Sequence, residues 1–387
     1  VIDSPELKPN DWMFMQRAFP TGRLDPQAQR QAVMQKRAMN TSGGNWNTVG
    51  PINIGGRISD IEMVNDQEYY VAAASGGIFK TTNAGADWTP VFDDQNSLSI
   101  GDIAIDPNNS NHIWVGTGEV NAGGGSLAYD GDGVYFSDNG GQSWTNKGLS
   151  QVGNIGKVLI DPNNAQNIFV GAMGPLFRND ANRGVYRSQD GGDTWTQSLF
   201  VSDSTGVVDM AIHPSNGQII YAAAWQRVRR PQYRSYGGIT SGLYRSIDGG
   251  DSWTELTTGL PTSANQKGRI SIAIAPSNPE VLYARYADAT GNIQGVYRTN
   301  DGGDSWTAMN SSALNNVGFH WWFRGIVIDP TDENTIYNVD FQVQKSTDGG
   351  NNWFGAFNNV HVDQHALAFD PSDPNNLVLG NDGGVYF

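Results

Sequence analysis

Gly242–Thr254 reads GLYRSIDGGDSWT, and the same phrase returns at Gly184–Thr196 (GVYRSQDGGDTWT) and Gly295–Thr307 (GVYRTNDGGDSWT). Looser copies stand at Gly77–Thr89 (GIFKTTNAGADWT), Gly133–Thr145 (GVYFSDNGGQSWT) and Val343–Phe354 (VQKSTDGGNNWF). Their tryptophans, Trp88, Trp144, Trp195, Trp253, Trp306 and Trp353, are spaced by 47 to 58 residues. A fixed period of this length marks a repeat architecture. Within the phrase, alternating residues form a strand that ends at Ser or Thr. The Asp side chain can then accept backbone N–H groups across the turn. Paired glycines supply the positive φ at which a hairpin reverses. The phrase is an Asp-box, and its Asp residues are read as turn staples that bind no substrate.

A second phrase precedes each box by about 25 residues, for example IAIDPNNSNHIWVG at Ile103–Gly116 and VLIDPNNAQNIFVG at Val158–Gly171. Asp-Pro and Pro-Ser-Asn are turn dipeptides between two strands. Each period therefore holds four antiparallel strands, which is one blade of a β-propeller. Inner strands are expected near Ile58, Gly101, Gly156, Val207, Ile270, Gly325 and His365, so the spacing predicts an all-β, seven-bladed β-propeller over residues 42–387. The seventh blade reaches its third strand at GGVYF (Gly383–Phe387) with no box after it. Ser42–Val49 (SGGNWNTV) matches the tail of a box, so a strand around Trp46 is expected to complete that blade and close the ring. Residues 1–41 lie outside the repeat. Asp25–Met39 reads as a short helix with Asp25 as N-cap and Pro26 at the first position, packing on the propeller.

The 387 residues carry a formal charge of −15 and no cysteine. Acidity on this scale argues against a nucleic-acid partner, and the absence of Cys excludes disulfides and thiolate chemistry. No apolar run reaches the roughly 18 residues of a membrane helix. The first residue is Val1 and not Met, which hints at a processed, exported chain, expected to be secreted, periplasmic or at the cell surface.

The runs GTGE (Gly116–Glu119), RGVYRSQDGG, AAAWQRVRRPQYRSYGGITSGLYRS and HVDQHALAFDPSDPNNLVLGNDGG (His361–Gly384) resemble bacterial BNR/Asp-box repeat proteins of the sortilin (VPS10-like) class. Members of that group are often labelled glycosyl hydrolases. The resemblance specifies a fold, whereas function must be argued from a site.

In a propeller the loops joining strands two and three share one face with those entering the inner strands. Long loops on that face, at Glu119–Asp132, Ala172–Arg183 and Trp225–Ser241, place function there. Trp225, Arg227, Arg229, Arg230 and Tyr233 form a cationic, aromatic group suited to an anionic glycan or acidic peptide. Trp321, Trp322 and Arg324, following His320, suit stacking on a sugar or a peptide side chain. Arg57 and Arg269 stand in two G-R-I-S phrases. With Arg324 they make a candidate arginine set for a ligand, though no R-I-P motif accompanies them and a sialidase is disfavoured. His361, Asp363 and His365, alternating along an extended segment, are candidates for a divalent metal. Asp130 and Asp132 are a weaker calcium pair. A glycoside hydrolase needs two facing carboxylates. The resemblance to xyloglucanase-type propellers implicates Asp382, in a D-G-G turn, and Glu119 is its candidate partner.

The leading expectation is an exported binding module for a protein, peptide or polysaccharide, needing no cofactor. The competing one is a xyloglucanase-like glycoside hydrolase acting on a polysaccharide. An assembly factor like those of photosystem biogenesis is a third.

Overall fold

The computed structural model describes residues 16–22, 25, 27–39, 56–121, 129–230, 233–314 and 316–387. The described strands fall into seven consecutive antiparallel sheets and one small hairpin. Blade one is β1 (Ile58–Met63), β2 (Tyr69–Ala73), β3 (Gly77–Thr81) and β4 (Thr89–Pro90). Blade two is β5 (Ile100–Asp106), β6 (Asn109–Thr117), β7 (Val134–Ser137) and β8 (Thr145–Asn146). Blade three is β9 (Ile155–Asp161), β10 (Asn164–Ala172), β11 (Gly184–Ser188) and β12 (Thr196–Leu199). The fourth has β13 (Thr205–Ile212) and β14 (Ile220–Gln226), then the hairpin of β15 (Val228–Arg230) and β16 (Tyr233–Ser235), then β17 (Gly242–Ser246) and β18 (Thr254–Leu256). Blade five is β19 (Ile270–Ile274), β20 (Leu282–Ala287), β21 (Ile293–Thr299) and β22 (Thr307–Ala308). Blade six is β23 (Gly325–Asp329), β24 (Asp332–Val339), β25 (Val343–Ser346) and β26 (Phe354–Gly355). Blade seven shows three strands: β27 (Gln364–Phe369), β28 (Leu377–Asn381) and β29 (Gly384–Tyr386). The seven-bladed propeller read from the repeat is the fold observed. The strand expected around Trp46 falls outside the described residues.

Each seam between blades has its own apolar cluster. Tyr221, Leu256, Ile270, Leu282 and Trp306 join blades four and five, while Ile58, Ile61, Val71, Ala366 and Val378 join blade seven back to blade one. This last cluster closes the ring through inner strands.

The Asp-box works as read, with one addition. Asp190 Oδ1 accepts the Thr194 N–H at 2.9 Å and Oδ2 accepts the Thr194 hydroxyl at 2.6 Å. The Ser188 hydroxyl donates to Asp190 and accepts the Gly192 N–H, both at 2.8 Å. Asp248, Asp301 and Asp348 repeat the pattern, and these bonds hold all four carboxyls down at about 2. In the looser copies Asn83 and Asn139 take the same acceptor role. The addition is that several box tryptophans fasten their blade to the preceding one, whereas the Trp306 indole bonds Gly303 O within its own turn. Trp144 Nε1 donates to Val91 O, Trp195 Nε1 to Lys147 O and Trp353 Nε1 to Asn310 O, at 2.7 to 2.9 Å.

The inner strands are braced to one another by buried side chains. Asp60 accepts the Ile103 N–H, Asp102 the Val158 N–H, Asp209 the Ile272 N–H and Ser271 the Ile326 N–H. Each bond crosses from one blade to the next. Arg324 pairs with Asp60 and lies 3.8 Å from Asp102, and Lys157 pairs with Asp102 at 2.8 Å. Burial alone would raise Asp60, but Arg324 and Lys157 outweigh it and hold the carboxyl low.

The N-terminal helix α1 (Ala28–Ala38) begins later than the sequence predicts. Asp25 is not its N-cap. Its Oδ1, two residues before the observed cap, accepts the Gln27 N–H at 2.9 Å, and Gln27 takes the cap position with no side-chain bond. The helix rests on loops of blades one and two, where Arg37 bonds Gln95 O and Asn96, and Arg30 lies 3.3 Å from Asp132.

Arg324→Met is expected to lower stability by about 3–5 kcal/mol, because it leaves Asp60 buried and unpaired. Urea unfolding of the variant beside the wild type measures this. A loss below about 1 kcal/mol would show that the ring does not lean on this pair.

Candidate functional site

Strand topology brings the second-to-third-strand loops and the inner-strand entries to one face, opposite the Asp-boxes. Glu119 follows β6, Arg227 follows β14 and Asp382 follows β28. Arg57, Arg269 and Arg324 directly precede β1, β19 and β23, and Asp363 precedes β27.

A chain of contacts runs around the channel mouth on this face. Glu119 Oε2 accepts from Arg57 Nη2 at 2.6 Å. The Arg57 guanidinium lies over the Trp322 ring, 4.8 Å from its centroid. Trp322 meets the His365 ring edge-on at 6.2 Å, and His365 Nε2 bonds Asp382 Oδ1 at 2.8 Å. The two candidate carboxylates therefore sit at one mouth, linked through blades one, six and seven.

Their surroundings differ. Glu119 is only 5% exposed. Burial, opposed by Arg57 and Arg227 and reinforced by Asp382, pushes its carboxyl up to about 7. Asp382 keeps about a third of its side-chain surface. One of its oxygens is held by His365, while the other makes no hydrogen bond among the described residues. Burial lowers His365, against the pull of Asp382, and favours the neutral imidazole. Two carboxyl groups in one site with such different environments are an arrangement suited to acid–base work.

Several expected ligand contacts turn out to be scaffold. Trp225, Arg227 and Arg229 are 2% exposed or less, so they offer a ligand no surface. Instead Arg227 is packed over Trp225 and Trp321, at 4.6 and 5.1 Å. Tyr236 stacks on Trp321 at 4.3 Å, and the Trp225 indole donates to Tyr236 O at 2.7 Å. Burial pushes the Arg227 guanidinium down to about 9. The sequence could not separate a solvated arginine loop from this inward-folded one. Arg230 and Tyr233 pair across the β15–β16 hairpin, and their side chains lie outside the described residues. Arg324 is spent on Asp60 and Trp321 on the stack, and Arg269 is buried, which leaves Trp322 and Arg57 as the half-buried members of the set.

The metal expectation at His361, Asp363 and His365 is not met geometrically. Asp363 has a φ of +66°, which breaks the extended alternation that would have aligned the three. His361 Nδ1 turns to Val362 O at 2.7 Å, and His365 faces Asp382. Asp130 and Asp132 likewise part, toward Arg178 and Arg30. Among the described residues no group of three or more His, Asp or Glu side chains is arranged to hold a metal.

Sequence reading missed the partners of His320. This ring is buried, with Nδ1 2.6 Å from Asp340 Oδ2 and Nε2 accepting the Val317 N–H at 3.2 Å. Arg285 pairs with the same carboxylate. Burial would raise Asp340, but Arg285 and His320 keep it low. Nothing in the phrase around Asp340 distinguishes it from an ordinary turn aspartate.

Fold and site define a seven-bladed Asp-box propeller with two carboxyl groups at one mouth. The family profile described as "Sortilin, neurotensin receptor 3" matches residues 182–341. A xyloglucanase of Paenibacillus sp. is 24% identical over 321 residues, covering 73% of this chain and 29% of its own length. The chain spans about a third of the length of the curated relatives it matches. Among solved structures, the GH74 xyloglucanase from Xanthomonas campestris superposes with a TM-score of 0.64 at 20% identity, over 88% of this chain and 53% of that one. YCF48 from Cyanidioschyzon merolae gives 0.54 at 15% identity, over 87% and 96%.

Glu119 sets a pH dependence. Its folded value of about 7 lies above the ordinary 4.5, so the folded state binds the extra proton between them. Stability from this group is complete below pH 4.5 and falls as pH rises through 7, by on the order of 3 kcal/mol. Urea midpoints from pH 4.5 to 8 should fall less steeply for Glu119→Gln than for the wild type. Parallel curves would refute the assignment.

Proposed function

We propose that this propeller belongs to a glycoside hydrolase acting on a polysaccharide, with Glu119 as proton donor and Asp382 as base. The carrying observation is the pair itself: a buried carboxyl with its proton affinity raised, and a second carboxylate with one oxygen steered by His365 and the other open. In this reading Glu119 transfers its proton to the glycosidic oxygen as the C–O bond breaks. Asp382 takes a proton from the water that attacks the anomeric carbon. Trp322 offers its half-buried ring as the sugar platform. The xyloglucanase relatives support a polysaccharide substrate and make xyloglucan the first to test. A substrate of this size fits an exported enzyme.

One observation favours the second reading, capture of a polysaccharide without cleavage. Glu119 is clamped by Arg57 and almost covered, so it reaches a glycosidic oxygen only if the substrate displaces that clamp.

Reducing-end release from xyloglucan and a polysaccharide panel is expected from the wild type. Asp382→Ala and Glu119→Gln should each reduce kcat by about 10²- to 10⁴-fold. Affinity electrophoresis on the same glycans separates the readings. Retardation with no hydrolysis in any form establishes capture, and absence of both rejects the polysaccharide.

A further inference from the structure

Arg269 is 6% exposed, yet its guanidinium makes no hydrogen bond or ion pair among the described residues. Nε and Nη1 are buried without an acceptor, so Nη2 is the nitrogen that keeps surface. The neighbouring cations are answered: Arg285 by Asp340, and Arg324 by Asp60. Asp209, the opposite charge that acts most strongly on Arg269, spends Oδ1 on the Met210 N–H and Oδ2 on the Ile272 N–H. A buried arginine without a partner is costly and rare, and burial pushes this one down to about 9.

Its position gives that charge a use. Arg269 and Arg57 both act electrostatically on His365, the ring that touches Trp322 and holds Asp382. Arg57 commits Nη2 to Glu119 and leaves Nη1 without an acceptor. At this face Arg57 lies over the Trp322 platform, and Arg269, which directly precedes β19, keeps one guanidinium nitrogen at the surface, within a chain whose net charge is −15. Planar guanidinium forks match carboxylates, and a platform beside them matches a sugar ring.

We propose that Arg269, assisted by Arg57, is a subsite for the carboxylate of a uronic acid residue, so that the polysaccharide read at this face is an acidic one. This rests on the polysaccharide reading above. A neutral glycan would leave the Arg269 guanidinium without a charged hydrogen-bond acceptor, whereas a uronate supplies one on binding. Salt should therefore weaken the interaction.

The test compares galacturonate and glucuronate oligosaccharides with neutral xyloglucan oligosaccharides by calorimetry, using the whole chain and Arg269→Met. The wild type is expected to bind a uronate oligosaccharide at least tenfold tighter than a neutral one at low salt. Arg269→Met should erase that preference, lowering uronate affinity about tenfold more than neutral-glycan affinity. It should also raise the apparent Tm without ligand, since it removes an unpaired buried charge. Equal affinity for both sugars in the wild type would overturn the subsite while leaving the polysaccharide reading in place. An unchanged preference in Arg269→Met, or a lowered Tm that marks Arg269 as structural, would overturn it too. Binding of a carboxylate-ended peptide with no glycan binding would overturn both readings.

Discussion

The bond from an inner-strand side chain to the next blade's backbone N–H is the constraint on which the rest of this propeller depends. Apolar clusters fill the seams, but hydrophobic burial is non-directional and tolerates sliding. A carboxylate accepting one particular N–H does not. Asp60, Asp102, Asp209 and Ser271 each specify how far the next inner strand advances. Ladder irregularities at Ile58/Asp60, Ile100/Asp102 and Val207/Asp209 accompany the three aspartates. Bulges of this kind re-aim a side chain out of the ladder. Here they release Asp60, Asp102 and Asp209 from their own sheets to reach a neighbour.

Carboxylates concentrated in this way need counter-charge. Lys157 and Arg324 supply it, and Arg324 does so from blade six to blade one. The same choice fixes the loop face. Because Arg324 is drawn inward, the preceding His320–Phe323 segment is laid across the mouth, with His320 anchored on Asp340 and Trp321 stacked on Tyr236. Trp322 is left between Arg57 and His365. The platform, the clamp on Glu119 and the brace on Asp382 are in this sense consequences of how the ring is charged inside.

The fold was legible because the Asp-box is a local device: Ser188, Asp190, Gly191, Gly192 and Trp195 state its geometry within eight residues. The start of every inner strand could be placed to within about two residues by counting from it. The site was legible only in part. Asp382, implicated by the resemblance to xyloglucanase-type propellers, and Glu119, its candidate partner, each follow a second strand, and the structure places both on the loop face. Trp225, Arg227 and Arg229 misled because the sequence fixes their composition and not their direction. Their inward turn depends on Trp321 and Tyr236, distant in the chain. The bridging role of the box tryptophans was hidden for the same reason, since Val91, Lys147 and Asn310 carry no signal as backbone acceptors. His361, Asp363 and His365 misled through one torsion: a positive φ at Asp363 cancels the alternation on which a shared metal would depend.

Glu119 shows how stability and chemistry oppose each other at this mouth. Arg57 at 2.6 Å favours its ionised form, while near-complete burial favours the protonated one. With a value of about 7 the carboxyl can exist in either state near neutrality, and small changes around Arg57 decide which. A ligand that draws the Arg57 guanidinium away from Glu119 would leave a buried carboxyl without its cation and push it further toward the protonated, proton-donating form. An anionic group beside Arg57 would act in that direction electrostatically as well as sterically. Under the proposed reading, ligand charge and the protonation of Glu119 are coupled through Arg57, and the clamp that covers Glu119 is also the element that would arm it.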